Sequence, residues 1–269
     1  MTIKDWISTA TNEFKAIGIE SARLDSQMIV EEIYKKNRAW VLAHQDTEIS
    51  TSKRQKLNYL FNQRLDYYPM AYILGHSEFY GHDFVISMNV LQPRPESEDF
   101  MEILAEIMKN LDSPRVADVG TGSGALGITA SLKWPKMVMD LIDIDELALE
   151  NAKINAKKFT TPVKLIKSDL LENTTSHYDI LLCNLPYVPD DYPINKPAKH
   201  EPKLALFGGP DGLDVYRKLA NQLQKRQKRP LFLLIESLEV QHPEISNIFI
   251  KLGYKLQKTR GLVQLFKNV

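Results

Sequence analysis

Val116-Ala117-Asp118-Val119-Gly120-Thr121-Gly122-Ser123-Gly124 is the stretch that sets the architecture. Residues 116–120 read as a short strand and Ser123 to Lys133 as a helix. Three glycines in five residues join them. Glycine allows the sharp turn and lets backbone approach a ligand closely, and a helix start offers it free N–H groups. Downstream the alternation continues. Residues 137–143 read as a strand, Glu146 to Lys158 as a helix, and 163–168 and 178–184 as two more strands. A loop of about 25 residues follows. A helix near 212–225, a strand at 231–237 and a helix over 239–252 come next, and strands 254–259 and 262–267 pair as a hairpin at Gly261. This order predicts a Rossmann-like α/β domain, a mostly parallel sheet closed by an antiparallel hairpin. Ligands in such sheets bind beyond the carboxyl ends of the strands.

Upstream the period is helical. Ile3, Trp6, Ile7, Ala10, Phe14 and Ile17 recur at three- and four-residue spacing, and further helical segments follow Ser21, over 37–43 and over 52–67. Gly18 is the only glycine before Gly75. A small helical bundle over residues 1–75 is predicted. Phe79 to Ile86 reads as two short strands turning at Gly81, inside a connector spanning 76–95 that Pro93 and Pro95 end. Glu96 to Lys109 then opens the α/β domain, 96–269, as a helix.

Lys+Arg and Asp+Glu both number 34, so the formal net charge is zero. That speaks against stable capture of nucleic acid or an anionic membrane. The single cysteine, Cys183, allows no internal disulfide and fits a reducing compartment. The first residues carry Asp5 and Glu13 and lack a signal-peptide core. No stretch approaches the ~18 apolar residues of a membrane span. The expectation is a cytoplasmic monomer without a metal site.

The glycine loop alone is ambiguous. Gly122, Gly124 and Gly127 have the spacing of a dinucleotide fingerprint, with Asp143 about 20 residues on. Asp118 decides between ligands. Its carboxylate at the strand end repels a pyrophosphate and attracts an ammonium or sulfonium. The loop also lacks the lysine that a nucleoside triphosphate needs. S-adenosylmethionine, leaving as S-adenosylhomocysteine, fits. Its candidate binding residues are Asp118, Gly120, Thr121, Gly122, Ser123, Gly124, Asp143, Asp169, Leu170 and Asn184. Asp143 is read as the acceptor for the ribose hydroxyls and Asp145 as the cap of the next helix. Asp169 is read as accepting from the adenine amine, with Leu170 packed on the ring.

Asn184-Leu185-Pro186-Tyr187 follows the apolar strand Ile180-Leu181-Leu182-Cys183. A planar NH2 nitrogen is a poor nucleophile, because its lone pair is delocalised. Two acceptors, the Asn184 side-chain carbonyl and the Leu185 backbone carbonyl, can each take one N–H and aim the lone pair. Tyr187 offers an aromatic face. Asn184, Pro186 and Tyr187 are the candidate catalytic residues, and Asn184, Leu185, Pro186 and Tyr187 the candidate substrate-binding set. Cys183 is read as a core residue.

At this point the chain resembles the HemK-type glutamine methyltransferases that modify peptide chain release factors. The resemblance is carried by Ser21-Ala22-Arg23-Leu24-Asp25, Pro69 to Gly75, Glu78-Phe79-Tyr80-Gly81 and Pro93-Arg94-Pro95-Glu96-Ser97-Glu98. Glu201-Pro202, Ala205-Leu206, Gly208-Gly209 and Asp211-Gly212-Leu213-Asp214 extend it. It implies methyl transfer to the glutamine amide of the Gly-Gly-Gln loop of a release factor, gripped by the helical domain. The family usually has Asn-Pro-Pro-Tyr, and Leu185 stands in place of the first proline. Asn-Leu-Pro-Tyr is similar to the tetrapeptide of ribosomal-RNA adenine dimethyltransferases. Two alternatives therefore stay open: an RNA adenine methyltransferase, and a silent cofactor-binding partner of the translation machinery. Replacing Leu185 by proline is expected to leave activity the same or higher. The loop 188–211 is expected to fold over the glutamine when substrate arrives.

Overall fold

The computed structural model describes all residues from Met1 to Val269. They fall into two compact units, Met1–Gly75 with Asn195–His200, and His76–Ile194 with Glu201–Val269.

The first unit is built of helices α1 (Ile3–Ala16), α2 (Ala22–Tyr34), α3 (Arg38–Ala43), α4 (Thr51–Leu65) and α5 (Met70–Leu74). Their starts follow capping chemistry. Thr2 and Asp5 form a capping box on α1, Asn37 accepts from Trp40 N–H, and Ser50 accepts from Lys53 N–H. Ile3, Trp6, Ala10 and Phe14 of α1 pack with Ile29 and Val30 of α2 and Leu57 of α4. Inside this core Arg64 Nε donates to Asp25 Oδ2 at 2.7 Å, and both side chains are buried.

The second unit holds a seven-stranded sheet in the order β5-β4-β3-β6-β7-β9-β8. The strands are β3 (Arg115–Val119), β4 (Val138–Asp143), β5 (Val163–Lys167), β6 (Ile180–Cys183), β7 (Phe232–Glu236), β8 (Tyr254–Arg260) and β9 (Val263–Asn268). The first five in that order are parallel, and β9 runs antiparallel to β7 and to β8. Central strands of a covered parallel sheet are apolar throughout, and Ile180 to Cys183 is buried at every position. The covering helices include α6 (Asp99–Met108), α7 (Ala125–Lys133), α8 (Glu146–Lys158), α10 (Asp214–Gln224) and α11 (His242–Ile250). Chain order reverses between β3 and β6, where Val119 pairs with Cys183. The glycine loop and the tetrapeptide thus leave adjacent strands side by side, at the crevice where such sheets bind ligands.

A two-residue turn at Tyr80 and Gly81, both with positive φ, joins β1 (His76–Phe79) to β2 (His82–Val85). Asn151 and Asn155 of α8 hold β2 by hydrogen bonds to Val85. Two expected helices start differently. Pro95 opens a 3-10 turn over Pro95–Glu98 ahead of α6, and Glu239–Gln241 forms another ahead of α11, whose first turn contains Pro243. The 188–211 loop carries a 3-10 turn at Pro197–His200 and the one-turn helix α9 (Lys203–Leu206). Its base is already closed, by Val188 N–H to Leu206 O at 2.9 Å and Gly208 N–H to Val188 O at 2.9 Å.

Candidate active site

A cavity of about 320 Å³ opens at the carboxyl edge of the sheet, within the range of small-molecule sites. Asp118, Gly120, Thr121, Gly122, Ser123, Asp143, Asp169, Leu170, Asn184, Leu185 and Pro186 line it. Gly124 and Tyr187 are not among its lining residues, and each has another task.

Asp118 is buried, and its two hydrogen bonds, from Thr121 Oγ1 at 2.7 Å and Gly127 N–H at 2.9 Å, both fall on Oδ2. Burial pushes its pKa up to about 6, against the pull of those two donors. Asp143 takes Gly122 N–H on Oδ2 and Asp145 N–H on Oδ1, both at 2.9 Å, so it shapes the glycine loop while facing the cavity. Burial raises its pKa as well. Asp145 caps α8 through Leu147 N–H. Asp169 forms an ion pair with Lys218 through Oδ2 at the cavity wall. Leu170 beside it has φ +53°.

The glycines divide by role. Gly120 and Gly122 have positive φ, and a Cβ at Gly122 would meet nothing within 4 Å of the protein, leaving room for a ligand. A Cβ at Gly124 would meet Ile128 Cδ1 at 2.8 Å and Ala152 Cβ at 3.2 Å, so this glycine serves helix packing.

In the tetrapeptide, Asn184 Nδ2 donates to Ser97 Oγ at 2.9 Å. The donor end of the amide is thereby engaged, and Oδ1 is left as the acceptor. Leu185 is buried, and a Cβ at Gly120 would come within 2.9 Å of its Cδ2. Its N–H donates to Tyr216 Oη at 3.2 Å. That hydroxyl donates in turn to the carbonyl of Glu236. A proline at 185 would have no N–H to give, so leucine is tied into this site by a bond its replacement would abolish. Tyr187 packs on the core, and its hydroxyl donates to Glu236 Oε1 at 3.0 Å. Gln241 Nε2 holds the Tyr187 carbonyl at 2.8 Å. Cys183 is buried, and burial pushes its thiol well up, which removes it as a nucleophile.

Three contributors escaped the sequence reading, Tyr216, Glu236 and Gln241, and Ser97 was named there only within the Pro93 to Glu98 motif. Glu236 had a signal, since a carboxylate ending an apolar strand is the pattern that drew attention to Asp118 and Asp143.

The residues fit S-adenosylmethionine. A buried carboxylate with a raised pKa favours a cationic ligand beside it. The Gly122 cradle admits a ligand close to backbone, and Leu170 offers an apolar wall. Fold and cavity together define an S-adenosylmethionine-dependent methyltransferase with a Rossmann-like sheet. Residues 5–75 match the PrmC N-terminal domain, and residues 98–195 the methyltransferase small domain. The release factor glutamine methyltransferase of Koribacter versatilis is 32% identical over 241 residues, 88% of this chain and 86% of the relative. That of Bacillus anthracis is 34% identical over 215 residues, 74% and 75% of the two chains. In fold, a methyltransferase from Pyrococcus furiosus superposes with a TM-score of 0.51 at 16% identity, covering 80% of this chain and 99% of its own. The chain belongs to the release factor glutamine methyltransferase family. No helix in it is long and apolar enough to cross a membrane.

Proposed function

We propose that this enzyme methylates the side-chain amide nitrogen of the glutamine in the Gly-Gly-Gln loop of a peptide chain release factor. The observation that carries the reading is the Asn184 amide, engaged through Nδ2 and open at Oδ1, at the wall of a cavity that also holds Asp118. When bound, S-adenosylmethionine supplies an electrophilic methyl carbon on a sulfonium. Asp118, Gly120 to Gly122 and Asp143 would hold the cofactor, with Leu170 as an apolar wall beside it. Asn184 Oδ1 and the Leu185 carbonyl each accept one N–H of the substrate amide. This fixes the plane of the NH2 group and turns the nitrogen lone pair toward the methyl. Aimed in this way, the amide nitrogen would take the methyl group that the cofactor supplies and give up one proton to water, with S-adenosylhomocysteine as the leaving product. No strong base is needed, because the alkylated amide nitrogen is acidic. The reading includes a monomer with no stable nucleic-acid complex, in keeping with the zero net charge.

The test is incubation with labelled S-adenosylmethionine and either release factor or ribosomal RNA. Label is expected on the release factor and is lost in Asn184→Ala. Label on RNA would favour the adenine reading, and cofactor binding without transfer would favour a silent partner.

A further inference from the structure

Glu236 ends β7, and its carboxyl group sits behind the tetrapeptide, fully buried. Oε1 accepts from Tyr187 Oη at 3.0 Å. Oε2 is buried with no close hydrogen bond. Burial raises the pKa of this group, and Ser97, Tyr187 and Asn184 pull it back down, while the charge of Glu96 adds to the rise. Three polar side chains therefore gather at one carboxyl.

The direction of each hydrogen bond follows from what each group can do. Asn184 Nδ2 donates to Ser97 Oγ. The serine oxygen is then an acceptor in that bond, and its own proton is free to be donated. Glu236 Oε2 is the buried acceptor in want of one. A carboxylate cannot donate, so the amide end that faces Ser97 and Glu236 is the NH2 end. The carbonyl end is thereby turned toward the cavity. If the amide were reversed, the single serine proton would have to serve both the amide oxygen and Glu236 Oε2, leaving one buried acceptor without a donor, and an NH2 group would face the substrate NH2 with no acceptor left to hold it. An uncompensated contact of that kind costs roughly 1–3 kcal/mol, more beside a charge.

We propose that Glu236 is a positioning residue for methyl transfer: through Ser97 it fixes the amide of Asn184 with Oδ1 toward the substrate nitrogen, and through Tyr187 it anchors the far end of the same tetrapeptide. The inference rests on the release factor reading for its substrate. It adds a carboxylate that touches neither cofactor nor substrate and still sets the geometry of transfer.

The variants are Glu236→Gln, Ser97→Ala and Ser97→Thr, assayed with full-length enzyme, S-adenosylmethionine and release factor. Glu236→Gln keeps the shape but can present an NH2 group to Ser97, which removes the preference for one amide orientation. Expected is a fall of ~100-fold in the rate at saturating substrate, the size a misplaced reacting group produces. The cofactor Kd stays within twofold of wild type, because Glu236 is not part of the cofactor cavity wall. Ser97→Ala lowers the rate at least tenfold, and the double variant falls no further than Glu236→Gln alone, since both act through Asn184. Ser97→Thr keeps the hydroxyl and stays within threefold of wild type. Ser97→Ala removes no charge, so it tests the relay even if Glu236→Gln does not fold. A loss below tenfold in Ser97→Ala, or a multiplicative loss in the double variant, overturns the proposal. If wild type itself transfers no methyl to release factor, the substrate reading fails instead.

Discussion

Leu185 stands where the Asn-Pro-Pro-Tyr pattern that the tetrapeptide resembles has its first proline, and its N–H is the feature that proline would remove. In the structure that N–H donates to Tyr216 Oη at 3.2 Å, in a fully buried setting. Tyr216→Phe strips the acceptor while preserving the ring. The Leu185 N–H is then buried without a partner, at a cost of roughly 1–3 kcal/mol, and the Glu236 carbonyl loses a donor for about 1 kcal/mol more. Leu185→Pro takes away the N–H itself and trims a side chain packed against Gly120, about one buried methylene or ~0.8 kcal/mol. Restricting the unfolded chain returns ~0.5–1 kcal/mol. With about 1 kcal/mol for the lost hydrogen bond, the single proline variant costs about 1 kcal/mol, and methyl transfer is expected to fall rather than rise, against the expectation from the sequence. The pair is decisive. In the proline background Tyr216→Phe has no N–H to strand, so its cost drops to about 1 kcal/mol and the two changes couple by ~1–3 kcal/mol. Urea unfolding of wild type, both singles and the double variant measures this, with single-turnover methyl transfer recorded in parallel. Additivity within ~0.5 kcal/mol would refute the reasoning, because it would mean that the leucine N–H and the tyrosine hydroxyl do not share a bond that matters.

Asp118 makes stability depend on pH in a defined direction. Its folded pKa of about 6 lies above the usual 3.8, so the free protein bears no penalty below about 4 and the full penalty above about 6. The gap corresponds to about 3 kcal/mol at most. Free Asp118→Asn is expected to melt higher than wild type at pH 8 and equally at pH 4, while losing cofactor binding; a calorimetric scan at the two pH values checks it. Cofactor binding by wild type is expected to release a proton near pH 6 and to weaken below it, read by titration calorimetry in two buffers of different ionisation enthalpy. Gly122→Ala is expected to weaken cofactor binding at least tenfold for a strain of ~1–2 kcal/mol. Gly124→Ala meets Ile128 and Ala152 as well, and loses ~2–4 kcal/mol of stability, so binding and melting measurements should separate the two. Arg64→Leu leaves Asp25 buried and unpaired at a cost of ~3–5 kcal/mol. Unfolding of the helical unit, followed by the fluorescence of Trp6 and Trp40, should then precede loss of cofactor binding in the other unit.

What was legible in the sequence was local. The strand–glycine–helix run, the cap at Asp145 and the apolar strand before Asn184 are each fixed by neighbours a few residues away. The partners that make the site specific are distant in the chain. Ser97 lies 87 residues from Asn184, Glu236 lies 49 from Tyr187, and Tyr216 lies 31 from Leu185. No periodicity or spacing rule joins such pairs; only the tertiary fold brings β6, β7, α10 and the 3-10 turn ahead of α6 together. Asp25 shows the same limit in the helical unit. Its place in the α2 pattern carries no hint of Arg64, which is 39 residues away. The ion pair of Asp169 with Lys218 was out of reach of a local reading for the same reason, since it spans 49 residues.

The carboxylates along the edge of the sheet differ in what already compensates them, and that difference assigns their tasks. Asp169 has a lysine. Asp143 has backbone N–H groups on both oxygens. Glu236 has the Tyr187 hydroxyl, with Ser97 and Asn184 at hand. Asp118 has a hydroxyl and one N–H, both on the same oxygen. Two neutral donors recover only part of what burying a full charge costs. Asp118 is therefore the position where a positive charge entering the cavity lowers the energy most. Glu236, with donors around it and no cation, gains nothing from a charged ligand and acts instead on the orientation of its neighbours. The two carboxylates lie on strands flanking β6, so the tetrapeptide between them is held from one side by a group that orients it and faced from the other by a group that awaits the cofactor.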